Sequence, residues 1–82
     1  MFLAKVYITL KPTVNDPQGR TVMGGLRSLG FDSVADVRVG KYLEVRLLET
    51  DKSQAEAKIK EMCDKLLANP VIEQYRCEVA EV

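Results

Sequence analysis

Histidine is absent from this 82-residue chain. The commonest general base near neutral pH and the commonest metal ligand are therefore missing. Only two cysteines occur, Cys63 and Cys77, far apart and in unlike segments. No CxxC or Cys–His spacing exists to hold zinc or to run redox chemistry, so both are expected as buried thiols in a reducing compartment. Charge of one sign is also missing, because 12 basic residues face 12 acidic ones. No net field draws in nucleic acid or an anionic membrane. Aromatic residues make up 6%, and the aromatic-rich pattern of an RNA-recognition sheet is not there. No basic leader precedes a long apolar run, so neither a signal peptide nor a membrane span is expected, and the location expected is cytoplasmic. Asp32, Asp36, Glu44, Glu49 and Asp51 show no spacing that selects a catalytic pair, and no catalytic, metal or cofactor site is assigned.

What is present is an ordinary domain composition, 46% hydrophobic and 29% charged. The length allows one domain, residues 1–82, with a thin core that association would help. Ala4, Val6, Ile8 and Leu10 alternate with Lys5, Tyr7 and Thr9, which predicts a half-buried strand ended by Lys11-Pro12. Asn15-Asp16-Pro17 then opens a helix, with Asp16 as its cap and Pro17 at the first position. Val22, Leu26 and Leu29 recur at helical spacing, and Gly30 supplies a stop. Gly24-Gly25 weakens this helix, or permits close packing against a sheet or a second subunit.

Val37-Arg38-Val39-Gly40-Lys41-Tyr42-Leu43-Glu44-Val45 reads as two alternating strands about a Gly40-Lys41 turn. A hairpin over about 34–48 is expected, with Lys41 displayed at its tip. Asp51 with Gln54 fits a capping box for a second helix, whose stripe is Ala55, Ile59, Met62 and Leu66, flanked by Cys63 and Leu67. Glu56–Lys60 and Glu61–Lys65 are favourable pairs. Asn69-Pro70 ends that helix. A last strand follows, with Tyr75, Cys77 and Val79 inward. The order is β-α-β-β-α-β, an α+β, ferredoxin-like two-layer sandwich. A four-stranded antiparallel sheet would carry both helices on one face. The other face would show Lys5, Tyr7, Thr9, Asp36, Arg38, Tyr42, Glu44, Arg46, Gln74, Arg76 and Glu78.

From the residues alone, several uses of such a domain stay open. Tyr7 and Tyr42 could stack bases, against the neutral charge. The Asn15-Asp16-Pro17-Gln18-Gly19 loop could serve an effector in an ACT-like regulatory dimer, or Asp16 and Pro17 could simply cap a helix. The sheet face could pair two copies.

Three segments in series resemble one family. They are Asp16-Pro17-Gln18-Gly19, then Val37 to Glu44, then Glu61 to Tyr75. In that order, over essentially the whole chain, the sequence resembles the PurS family, small subunits of phosphoribosylformylglycinamidine (FGAM) synthase. The resemblance implies a ferredoxin-like fold, a homodimer with a tetramer as a further option, and no catalysis by this chain alone. It implies a place in de novo purine synthesis, where formylglycinamide ribonucleotide becomes the amidine at the cost of glutamine and ATP. A PurQ-type glutaminase releases ammonia, and a PurL-type synthetase uses it with ATP and magnesium. The small subunit would be an adaptor between them, binding no cofactor itself, with neither nucleic acid nor membrane as a partner. Candidate partner-interface residues are Asp16, Pro17, Gln18 and Gly19 in the loop, and Arg38, Gly40, Lys41 and Tyr42 in the expected hairpin. Their displayed polar chemistry on cap and turn geometry motivates the choice.

Overall fold

The computed structural model describes residues 1–82 and builds three strands and two helices. Strand β1 is Phe2–Leu10, helix α1 Pro17–Ser28, strand β2 Gly40–Leu47, helix α2 Lys52–Met62 and strand β3 Glu73–Glu81. β1 lies in the middle, antiparallel to both neighbours, in the order β2-β1-β3. Phe2, Ala4, Val6 and Ile8 point to one face of β1 and are buried. Leu43, Val45 and Leu47 of β2 and Tyr75, Cys77 and Val79 of β3 join them. This is the period-2 pattern of a strand with one covered face.

Helix α2 covers that face with Ala55, Ile59 and Cys63, all 0% exposed. Asp51 caps it by accepting from the Ser53 amide at 3.3 Å; the Gln54 half of the expected box is not used. After Met62 the backbone widens into a π-turn, Cys63–Leu67, in which the Ala68 amide donates to the Cys63 carbonyl. The extra residue rotates the stripe. Leu66, expected inside, is 83% exposed, while Leu67 and Ala68 turn toward the core. Glu61–Lys65 pairs as read, at 2.6 Å; Lys52, rather than Lys60, is the partner of Glu56.

Two expectations fail together. The sheet has three strands, not four, and only one helix covers it. Residues 34–39 form no strand, and Gly40 opens β2 beside Thr9 rather than making a turn. The reason lies in where the hydrogen bonds of this segment go. The Val39 amide donates to the Asp16 carboxylate at 2.7 Å, and the Val34 carbonyl accepts from Arg27 at 2.9 and 3.3 Å. The Val37 carbonyl lies against Gly19. Residues 31–39 therefore run back along α1, tied to a helix and a loop instead of a ladder. Gly40 is needed for close approach, since a Cβ there would stand 2.5 Å from the Ile8 carbonyl oxygen.

Helix α1 forms no packed interface with the sheet or with α2. With residues 31–39 it makes an arm that extends the molecule to 50 × 27 × 14 Å. The radius of gyration is 16.2 Å, against about 12 Å for a compact domain of this length.

Candidate interaction surface

The arm is held at its root by a small set of polar contacts. Asp16 is 5% exposed and is the one buried charged side chain. Its Oδ1 accepts from the Gly19 amide at 2.9 Å, capping α1, while Oδ2 accepts from Val39. One carboxylate thus joins the start of the helix to the end of the returning loop. The Val39 bond first, then the Gly19 bond and the nearby Arg38 charge, hold its pKa below the ordinary 3.8. Pro17 at the first helical position gives up no bond. Arg38 completes the root, where its Nη2 donates to the carbonyls of Lys11 at 3.0 Å and Val14 at 2.9 Å. At the far end Gly30, with φ +97°, closes the helix in the left-handed region that glycine tolerates.

The structure thus brings Asp16, Gly19 and Arg38 together and gives each an internal partner. Pro17 and Gln18 stay exposed on the first turn. Arg38 and Asp36, expected on the open sheet face, belong to the root instead. Lys41 is not at a hairpin tip. It lies on the helix-side face at the end of β2, with Nζ 3.3 Å from the Leu67 carbonyl and 3.7 Å from Glu73.

Tyr42 does stand on the open face. Its ring centroid is 5.1 Å from that of Tyr7, over which Arg76 stacks at 4.1 Å. The Tyr42 hydroxyl donates to Glu44 at 2.8 Å, which pushes its pKa up to about 12. Across the next row Lys5 sits between Glu44 and Glu78. Arg76 also pairs with Glu78 at 2.8 Å. With Arg46 opposite Leu3, the face carries three cations against two anions.

Several large apolar side chains are exposed. On the arm, Val22 is 46% exposed, Leu29 75% and Phe31 56%. On the body, an open groove is lined by Val45, Met62, Leu66 and Leu67 together with Lys58, Glu61 and Lys65. The total surface is 5867 Å² for 9.2 kDa, against about 4,900 Å² for a folded monomer of that mass. The excess, about 900 Å², matches one partner's share of a standard protein interface, about 800 Å².

The PurS model, described as phosphoribosylformylglycinamidine (FGAM) synthase, matches residues 3–81. The chain belongs to the PurS family. FGAM synthase subunit PurS of Bacillus subtilis is 50% identical over 82 residues, 100% of this chain and 96% of that protein. The subunit from Synechocystis is 48% identical over 92% of this chain and 75% of that one. A B. subtilis PurS crystal structure superposes with TM-score 0.90 at 49% identity, covering 99% of this chain and 100% of that one. A chain of the structure of PurLQS from Thermotoga maritima superposes with TM-score 0.85 at 27% identity, covering 98% and 99%. The three segments that suggested the family lie inside the matched range. The three-stranded sheet with its arm is the form in which this PurS-family chain carries them.

Proposed function

We propose that this chain is a non-catalytic assembly subunit of FGAM synthase that associates with itself and holds a glutaminase and a synthetase in fixed relation for ammonia transfer. The observation that carries the reading is the shape. An 82-residue chain that exposes about 900 Å² more than a compact monomer, much of it apolar, is built to be covered by other chains. Whole-length similarity to a chain of the PurLQS structure supports the same conclusion.

The chemistry gives such a subunit a purpose. Ammonia passes between active sites as a neutral molecule and is trapped by protonation in bulk water. Fixing two active sites relative to one another shortens that escape. In this reading ATP and magnesium are taken by the synthetase and none by this chain, and the complex works in the cytoplasm. No helix of the chain is long and apolar enough to cross a membrane. The α1 N-terminus does not favour an effector site, since Asp16 already accepts from the Gly19 amide there.

The test is reconstitution with the synthetase and glutaminase of the same source. Omitting this chain should abolish glutamine-dependent amidine formation and leave the rate with ammonium chloride intact. An unchanged glutamine-dependent rate overturns the proposal. Lys41→Glu is the surface variant of choice within such a complex. Arg38→Glu, attractive from sequence, would break the root of the arm and so confound folding with assembly.

A further inference from the structure

β3 is an outer strand, and its register fixes which of its backbone groups are unclaimed. At one end of the β1–β3 ladder the Lys11 amide donates to the Ile72 carbonyl at 2.8 Å, and at the other the Val82 amide donates to the Met1 carbonyl at 3.0 Å. Both bonds fit one uninterrupted antiparallel register, so Gln74, Arg76, Glu78 and Ala80 turn their amides and carbonyls toward β1. Tyr75, Cys77, Val79 and Glu81 turn theirs the other way, where no strand stands. We infer that an extended, carboxylate-bearing segment of another protein pairs with this edge as an intermolecular strand. The inference rests on the assembly reading above and names a surface that would serve it.

Three observations carry it. The first is the row of free groups. β3 runs for nine residues, Glu73–Glu81, with no proline and no bulge, and offers a donor and an acceptor at every second residue. That is the template to which an extended peptide adds. Natural edges are blunted by proline, a bulge or an inward-pointing charge. The inward positions here, Tyr75, Cys77 and Val79, are uncharged and pack against the core.

The second is the space beside the edge. A cleft of about 670 Å³ is walled by Tyr75, Cys77 and Val79 of β3 and by Ala57 of α2. The residues with free backbone groups are therefore also the wall of a cleft. In an added strand every second side chain would point to the α2 side, into that cleft, and the rest would lie level with the open face.

The third is charge. Lys52, Lys60 and Arg76 also line the cleft, against one carboxylate, Glu56. Lys52 pairs loosely with Glu56 at 4.0 Å and Arg76 with Glu78 at 2.8 Å, while Lys60 forms no ion pair. The groove lined by Val45 and Met62 differs, since its Lys58 and Lys65 are each taken by a glutamate of the same chain. An incoming carboxylate is thus complemented beside β3, and an incoming cation is not.

Amide hydrogen exchange tests this on the unaltered chain. The isotope-labelled chain is exchanged alone and in the reconstituted complex with synthetase and glutaminase, then quenched and read residue by residue by NMR. Alone, the Tyr75, Cys77 and Val79 amides should exchange fast and those of Gln74, Arg76 and Glu78 slowly. In the complex the fast set should slow by about 10-fold or more, erasing the alternation. A fast set already slow in the chain alone would mean that a second copy holds the edge, and would overturn the inference. A complex that forms and is active while those amides stay fast rejects edge pairing and leaves the assembly function standing; absence of any complex rejects both. Lys60→Glu supplies a second reading, because Lys60 is exposed on α2 and unpaired, so the change spares the fold. It should weaken binding to the partner subunits about 5-fold at low ionic strength, and less as salt is added. Unchanged binding at low ionic strength would overturn the choice of an acidic segment.

Discussion

Replacing a glycine by alanine adds the same methyl group at Gly19 and at Gly24, both in α1, and the structure assigns the two changes opposite signs. At Gly19 a Cβ would lie 2.9 Å from the Asp16 Oδ2 and 3.0 Å from its Cγ, and closer still to the Val37 carbonyl oxygen. None of these can retreat cheaply. The Asp16 oxygen is bonded to Val39 at 2.7 Å, and the Val37 carbonyl is backbone. Overpacking of this kind costs about 1–3 kcal/mol, against a gain of up to about 1 kcal/mol from alanine's helix preference. A net loss of about 1.5 kcal/mol is expected. At Gly24 a Cβ meets nothing within 4 Å, and the position is roughly opposite the Val22–Leu26–Leu29 stripe. Only the propensity gain remains, about 1 kcal/mol. For a domain of this size each kcal/mol moves Tm by about 4–8 °C. Gly19→Ala should melt roughly 6–12 °C lower, and Gly24→Ala roughly 4–8 °C higher. The assay is helical circular dichroism against temperature, with every sample at one protomer concentration because any self-association would feed into Tm. Two shifts of the same sign, or no loss at Gly19, would refute the reasoning about the root.

Two further outcomes follow from the titrating groups. The folded-state pKa of Asp16 lies below its ordinary 3.8. Its carboxylate therefore contributes stability that is fully present above that ordinary value and is lost as pH falls through the lower, folded one. Asp16→Asn should be less stable than the parent near neutrality, since one amide oxygen cannot serve Gly19 and Val39 as two do. The gap should close in acid, and a constant gap from neutrality down to the acid limit would contradict this. Tyr42, pushed up to about 12 by its bond to Glu44, should ionise closer to 10 in Glu44→Gln. Phenolate absorbance against pH would show it, and an unmoved titration would mean that the Glu44 bond does not form in solution.

The parts of this fold set by local chemistry were legible in the residues. Alternation marked β1 and β3 with the right faces inward, Asp16-Pro17 marked the start of α1, and Gly30 its end. Two readings failed, each because a distant partner overrode a local pattern. Val37-Arg38-Val39 alternates as a strand should, but the Val39 amide and the Arg38 guanidinium bind residues 11–16, and no pattern within the segment reveals partners more than 20 residues away. Met62 and Leu66 share a helical stripe until the π-turn inserts a residue, which period counting alone does not register. The site divided in the same way. Asp16, Gly19 and Arg38 stood out as unusual chemistry and do come together, yet their bonds face inward, toward their own chain. Val22 and Leu29 looked like core and are exposed.

These two kinds of error have one physical origin. An apolar stripe specifies that a surface will be buried, and it carries no information on which chain will bury it. That choice is made by the direction of the helix, and here the direction is set by one carboxylate and one guanidinium at its root. Polar residues that a sequence reading offers as contacts for a partner can thus act one step earlier, by aiming the apolar surface that makes the contact. The missing fourth strand belongs to the same logic. A ladder over 34–39 would have widened the sheet beside β2 and drawn α1 back across it, closing the groove from within. Tying that segment to Asp16 and Arg27 leaves the sheet at three strands and α1 apart from it.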